Sequence, residues 1–361
     1  MRRLLPVLCL AILALSDCGG GEQAALTPAA FTTPAAGGPL SGKIVFSSDR
    51  DGQRDLYAVN SDGAGLVRLT NDPEEEVAVA CDPAGRRLAV VVGQATAPAE
   101  PSVTPVVPVV PVLEVLDADD SHRERLAEVE QVGGLTWSPD GSRLAYSTGA
   151  AVSRTTYDVF TVTPGGQSPT HLMSGVDIYA LRWSADGSRL YFLSRDEGSG
   201  QFDLYSVEAD GSGRGRVPLE AGARGPSLSP DGQRVAYSTA TGLTIADTNG
   251  GNATVVAPEG GVVSWSSDGG RLAYLVRQTS SASTPAPAPV LYVVQPGSQA
   301  RRLAVLPPAS LVPRWSPDDV WLLFNVYSEE EQTIYLIRAD GTDLHRLSPE
   351  GARESAFCWV G

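Results

Sequence analysis

The sequence predicts an all-β chain: a seven-bladed β-propeller of four-stranded antiparallel blades, closed by pairing a C-terminal strand with the N-terminal blade. Three observations predict it. A hairpin phrase recurs along the chain, its copies are spaced by roughly the length of one propeller blade, and the two ends of the pattern are complementary fragments of a single repeat. Six or eight blades are the alternatives.

The phrase is clearest at residues 135–147, LTWSPDGSRLAYS. An apolar run ends at Trp137, Ser138-Pro139-Asp140-Gly141 turns, and residues 143–147 return. Pro139 presets φ, Asp140 can bond its own backbone, and Gly141 accepts the positive φ that a side chain resists. Between β-rich runs this is a hairpin signal. Further copies begin at Trp183, Leu228, Trp265 and Trp315, with a worn one at Cys81 and a fragment ending at Trp359. The marker positions 81, 137, 183, 228, 265, 315 and 359 are 56, 46, 45, 37, 50 and 44 residues apart. Trp recurring at the blade period reads as a wedge between neighbouring blades, and the recurrent Asp as turn chemistry rather than a metal ligand.

The start of the chain reads as export machinery. Met1-Arg2-Arg3 is basic, and residues 4–15 form a 12-residue apolar run, too short to span a bilayer and suited to a signal-peptide core. Residues 1–17 are therefore expected to be a signal peptide. Leu15-Ser16-Asp17-Cys18 resembles the lipobox of bacterial lipoproteins, with Asp17 where a small residue is usual. The resemblance implies lipid attachment at Cys18 and a membrane contact made by that anchor only; plain secretion is the alternative. Residues 18–42 lack any period and read as a disordered tether, and residues 43–361 as the propeller.

Within the propeller, residues 43–70 hold three strands with Asp-Gly turns and lack the strand that should precede them. Residues 77–129 form the next unit, interrupted by the Pro-rich loop 94–111, whose prolines bar it from a central strand. Units at 131–174, 176–219 and 225–257 follow. The unit 261–306 carries a second low-complexity loop, 278–289, and residues 311–348 are complete. The segment 354–359, ESAFCW, then supplies the strand that the first blade lacks.

Four cysteines are present. Cys9 and Cys18 belong to the export segment. Cys81 and Cys358 fall in equivalent strands of neighbouring blades, but alternation points them to different sheet faces, so they read as two buried free thiols, with a disulfide the lesser alternative.

The phrases WSPDG-RLAYS, together with residues 44–70, resemble the WD-like β-propeller repeat of the TolB family: a SPDG hairpin, an aromatic strand, Asp-Gly turns and a closing RLT. The resemblance covers nearly all of residues 43–359. TolB proper carries an α/β domain ahead of its propeller, where this sequence shows the tether, so a role in the Tol–Pal complex does not follow from it. The same propeller type occurs fused to hydrolases of the prolyl oligopeptidase class, which need a G-x-S-x-G nucleophile elbow. This sequence contains no such motif, no Cys-x-x-Cys, no His pair at zinc spacing and no phosphate-binding loop. Its three histidines, His122, His171 and His345, fall in outer-strand or turn positions. The clusters 74–76, 117–120 and 329–331 read as solvated acidic loops rather than calcium sites.

The formal net charge of −15 argues against nucleic acid as a partner. The expected function is a non-enzymatic, monomeric binding scaffold at the bacterial cell envelope, periplasmic or on the cell surface, without cofactor or metal. Its partner would be an envelope protein or peptide, with glycan as a further class, met at a propeller face with help from loop 94–111. The alternative is a propeller enzyme acting on envelope glycan or peptide at the channel mouth.

Overall fold

The computed structural model describes residues 40, 42–71, 75–93, 110–119, 121–149, 156–166, 168–195, 202–277, 288–311, 313–327, 332–349 and 351–360. The expected signal peptide 1–17, Cys18, nearly all of the expected tether 18–42, most of loops 94–111 and 278–289, and the acidic run 329–331 lie outside these residues.

Seven four-stranded antiparallel sheets follow one another around a ring. Blade 1 is assembled from both ends of the pattern: Glu354–Trp359 is its inner strand, followed outward by Ile44–Ser48, Asp55–Val59 and Val67–Arg68. Blades 2 to 7 are continuous in sequence. Their inner strands are Glu75–Cys81, Gln131–Trp137, Tyr179–Trp183, Arg224–Leu228, Val262–Trp265 and Arg314–Trp315. In each, the next strand outward begins just after the recurrent turn, as the hairpin phrase requires.

Closure is direct. Ile44 pairs with Trp359, Val45 with Cys358 and Ser48 with Glu354, with one bulge between Val45 and Phe46. Side chains reinforce this ladder. Buried Glu354 accepts a hydrogen bond from Ser48 Oγ at 2.7 Å and pairs with Arg50, whose guanidinium lies 5.3 Å from the Phe46 ring centre and 5.0 Å from that of Tyr57.

The core is divided among the junctions. Buried apolar side chains gather into seven clusters, each shared by two adjacent blades. Blades 3 and 4, for example, enclose Tyr157, Val159, Ile178, Leu181, Trp183 and Phe192. The hydrophobic effect therefore acts between sheets, and each blade is held by its neighbours.

Four junctions share one clamp. The indole nitrogens of Trp137, Trp183, Trp265 and Trp315 donate to the carbonyls of Ala80, Thr136, Ser227 and Ser264 in the preceding blade. From that preceding blade an arginine reaches forward over the indole. Arg87, Arg143, Arg234 and Arg271 lie 4.7, 4.7, 4.9 and 4.7 Å from the rings of those tryptophans. Each also donates to a carbonyl in the next blade's turn, at Gly141, Gly187, Gly269 and Asp319. Where blade 5 has Leu228 in the tryptophan position, Arg189 has no indole to cover and pairs instead with Glu208 of its own blade.

The expectation of two free thiols is corrected: Cys81 and Cys358 form a disulfide, with Cα atoms 6.2 Å apart. The alternation that places them on different faces is right, and the conclusion drawn from it is wrong. In a ring of sheets, the front face of one blade packs on the back face of the next. The tryptophan position of each blade therefore meets the residue just before the tryptophan position of the preceding blade, as the four indole–carbonyl bonds show. Cys81 and Cys358 occupy those two positions at the junction of blades 2 and 1, so their opposite faces bring them together.

Candidate functional site

The two ends of the ring differ in construction. At one end lie the S-x-D-G turns that join inner strands to second strands. Their aspartates serve the backbone: Asp140 accepts from Ser138 Oγ, Ser142 N and Ser142 Oγ, and these bonds hold its carboxyl down at about 2. Asp186 is held down at about 2 in the same way by Ser184 and Ser188. Gly141 has φ of 69°. At the glycine place of blade 7 stands Asp319, with φ of 58°. Its carboxylate accepts from the Ser267 and Asp268 amides of blade 6 at 2.6 and 3.0 Å. Among the described residues no three His, Cys, Asp or Glu side chains come together as a metal site.

At the other end lie the crossings between blades and the strand ends that bracket loops 94–111 and 278–289. A cleft of about 530 Å³ opens there between blades 5 and 6, lined by Arg224, Gly225, Thr239, Gly261, Val262 and Arg277 among others. It exists because blade 5 has a very short second hairpin: Thr239 pairs directly with Gly242, whose φ of 133° excludes other residues. Arg277 donates to the Ser310 carbonyl, while Arg224 is exposed and has no hydrogen-bond or ion-pair partner among the described residues.

The inner strands surround the ring axis. One level of this channel is set by the residue before the tryptophan position: Ala80, Thr136, Arg182, Ser227, Ser264, Arg314 and Cys358. The residue is small at the four junctions where a clamped tryptophan follows in the next blade. It differs at the other three. Cys358 is bridged, Arg182 precedes the blade with Leu228, and Arg314 precedes the half-buried Trp359.

Arg182 and Arg314 are water-accessible yet ringed by protein, as side chains in a narrow channel are, and loss of solvent lowers both pKa values. Arg182 is lowered further by the charge of Arg314 from across the ring. Arg182 has no hydrogen-bond or ion-pair partner among the described residues. Arg314 donates to the Phe357 carbonyl, a neutral acceptor. The inner strand of blade 7 is only two residues long. Asn325 and Tyr327 of the second strand reach past it to Ala356 and Ser355 of blade 1. Ser264 Oγ, on the same level, is buried without a partner.

The histidines stand on outer strands or turns. His171 makes the one Ser–His–Asp contact among the described residues, with Asp158 Oδ1 at 3.2 Å and Ser174 Oγ at 3.3 Å from the same Nε2. A catalytic triad places serine and carboxylate on different ring nitrogens; here both share one, on the exposed rim of blade 3. His345 Nδ1 lies 3.1 Å from Asp343 Oδ1, also at the rim. Cys18 lies outside the described residues.

The channel arginines are absent from the sequence-based reading. Their signal was present: with the seven copies stacked on the marker residue, 182 and 314 are the only charged residues in a column of small ones.

No known sequence family and no curated protein matches the chain. Its fold does match solved structures. Oligogalacturonate lyase from Vibrio parahaemolyticus aligns over 82% of this chain and 86% of its own, at 16% identity and a TM-score of 0.63. TolB from Acinetobacter baumannii aligns over 89% of this chain and 67% of its own, at 15% identity and a TM-score of 0.53. A prolyl endopeptidase aligns over 89% of this chain but half of its own, at 15% identity and a TM-score of 0.62. The fold is thus that of the TolB-like propellers. These neighbours include enzymes as well as TolB, so the likeness defines architecture alone.

Proposed function

We propose that the protein is a non-enzymatic binding propeller of the bacterial cell envelope, exported and held by a lipid at Cys18. A protein or peptide partner meets the ring at the end opposite the S-x-D-G turns. The observation that carries this reading is the cleft between blades 5 and 6, at the end where every long insertion departs from the repeat. The lipobox-like segment and the fold likeness to TolB support the envelope location. In the test, a photo-crosslinking residue replaces Ala240 at the cleft, or Ser142 on the turn end, in the full exported chain. Discrete adducts from position 240, absent from position 142 and lost when residues 94–111 are deleted, are expected. Identical adduct patterns from both positions would refute the reading.

A second reading, an enzyme acting on envelope glycan or peptide, draws on the likeness to a lyase and a peptidase and on the two channel arginines. Release of product from polyuronide or peptide, abolished by Arg182→Gln, would favour it.

A further inference from the structure

We propose that Arg182 and Arg314 form a carboxylate-binding site inside the channel, which receives the free C-terminus of an extended acidic peptide entering through the cleft. The inference rests on the binding reading above and adds to it a ligand class and a site.

The chain carries a formal net charge of −15, with 27 Lys and Arg against 42 Asp and Glu. Repeat arginines elsewhere are matched: each clamp arginine has a ring and a turn carbonyl, Arg189 has Glu208, and Arg50 has Glu354. Arg182 and Arg314 instead stand at equivalent places on the inner strands of blades 4 and 7, water-accessible and without a carboxylate partner among the described residues. Two cations at one level of a channel repel, and an anion between them turns that repulsion into attraction. The packing does not require this arrangement. At the equivalent position four other blades carry the uncharged Ala80, Thr136, Ser227 and Ser264.

The shape of the site selects the anion. Two guanidinium groups at one level match one carboxylate, which each can grip with paired N–H donors. The rest of the level adds hydroxyls at Thr136 and Ser227, while Ser264 Oγ is buried. None of the seven residues at this level is aromatic, and Tyr327 near Arg314 is tied through its hydroxyl to Ser355, which favours a peptide over a stacked sugar. Arg224 stands on the inner strand of blade 5 three residues from Ser227, the equivalent of Arg182, toward the cleft. A bulge lies between them, so the three residues cover the two-residue rise from Ser238 to Ala236 on the neighbouring strand, about 7 Å. A peptide running down the channel, with its terminal carboxylate between Arg182 and Arg314, therefore brings the side chain two residues earlier to Arg224.

The probe is the labelled peptide Gly-Ser-Gly-Ser-Glu-Gly-Ser with a free C-terminus, titrated against the intact mature protein by fluorescence anisotropy. Its C-terminal amide and a tri-uronide are the comparison ligands. We expect saturable binding that weakens as salt rises. Arg182→Gln, Arg314→Gln and the peptide amide should each weaken it tenfold or more, and Arg224→Gln less, with unchanged thermal melting. Equal binding by the Arg182→Gln/Arg314→Gln double variant, equal binding of the amide, capture of the tri-uronide but not the peptide, or no peptide binding would each overturn the proposal. Crosslinks from position 240 that persist in the double variant would leave the binding-propeller reading standing while the channel site fell. Loss of the crosslink contrast in the unaltered protein would remove the reading itself.

Discussion

The two ends of the ring obey different rules. At the turn end, residues repeat, and at four junctions the repeats have the same partners: serine to aspartate, tryptophan to carbonyl, arginine to indole and to the next turn. At the loop end, lengths and residue types vary, and charges are met one by one: Arg50 finds Glu354 and Arg195 finds Asp177, while Arg224 finds no partner among the described residues. The comparison teaches that in this chain periodicity marks what the ring needs in order to stand. Departures from the period mark where something else is being served. The channel arginines belong to the second kind although they sit one residue from the first.

The comparison breaks most decisively at an indole. Trp183→Ala should cost about 3–5 kcal/mol in denaturant unfolding, since it leaves a cavity and removes the ring that Arg143 covers. A loss below about 1 kcal/mol would show that the repeated residues are decoration. The disulfide is next. Reduction, or Cys81→Ser with Cys358→Ser, should lower stability by about 2–4 kcal/mol, because the bond joins residues 277 apart in sequence. Matched melts with and without dithiothreitol would measure this, and an unchanged melt would show that the strand ladder alone holds the ring.

The smallest effect sharpens the contrast at the loop end. Glu76, at the start of blade 2's inner strand, is buried, and burial raises its carboxyl to about 7; the charge of Asp55 acts in the same direction. A raised folded-state pKa stabilises the fold below the ordinary value near 4.5, and that contribution is lost as pH rises through about 7. Stability should therefore fall by about 2–3 kcal/mol from pH 5 to 8, with Glu76→Gln much flatter across that window. Parallel slopes for the two proteins would place the pH dependence elsewhere.

Much of the fold was legible because turn chemistry is local. Proline, aspartate and glycine fix the hairpin from within four residues, and a strand missing from one end of the pattern could be matched to a spare strand at the other. What lies between blades was less legible. The forward reach of Arg143 onto Trp183 joins residues whose proximity depends on how one sheet stacks on the next. The same blindness misjudged Cys81 and Cys358, because alternation was judged within a sheet and not across the gap that the two thiols span. The channel arginines were hidden for a different reason. Each is ordinary alone, and only comparison of position 182 with Ala80, Thr136, Ser227 and Ser264 makes it conspicuous.

The ladder between Ile44–Ser48 and Glu354–Trp359 has a consequence for biogenesis. An early strand must remain one-sided while some three hundred residues are synthesised behind it, and loop-closure entropy makes that late pairing slow. Throughout that interval the bare edge is open to other chains. A thiol-oxidising catalyst acting on Cys81 and Cys358 once the strand arrives would make its docking hard to reverse, so in vivo yield should depend on the cell's oxidative folding capacity as much as on the finished molecule's stability.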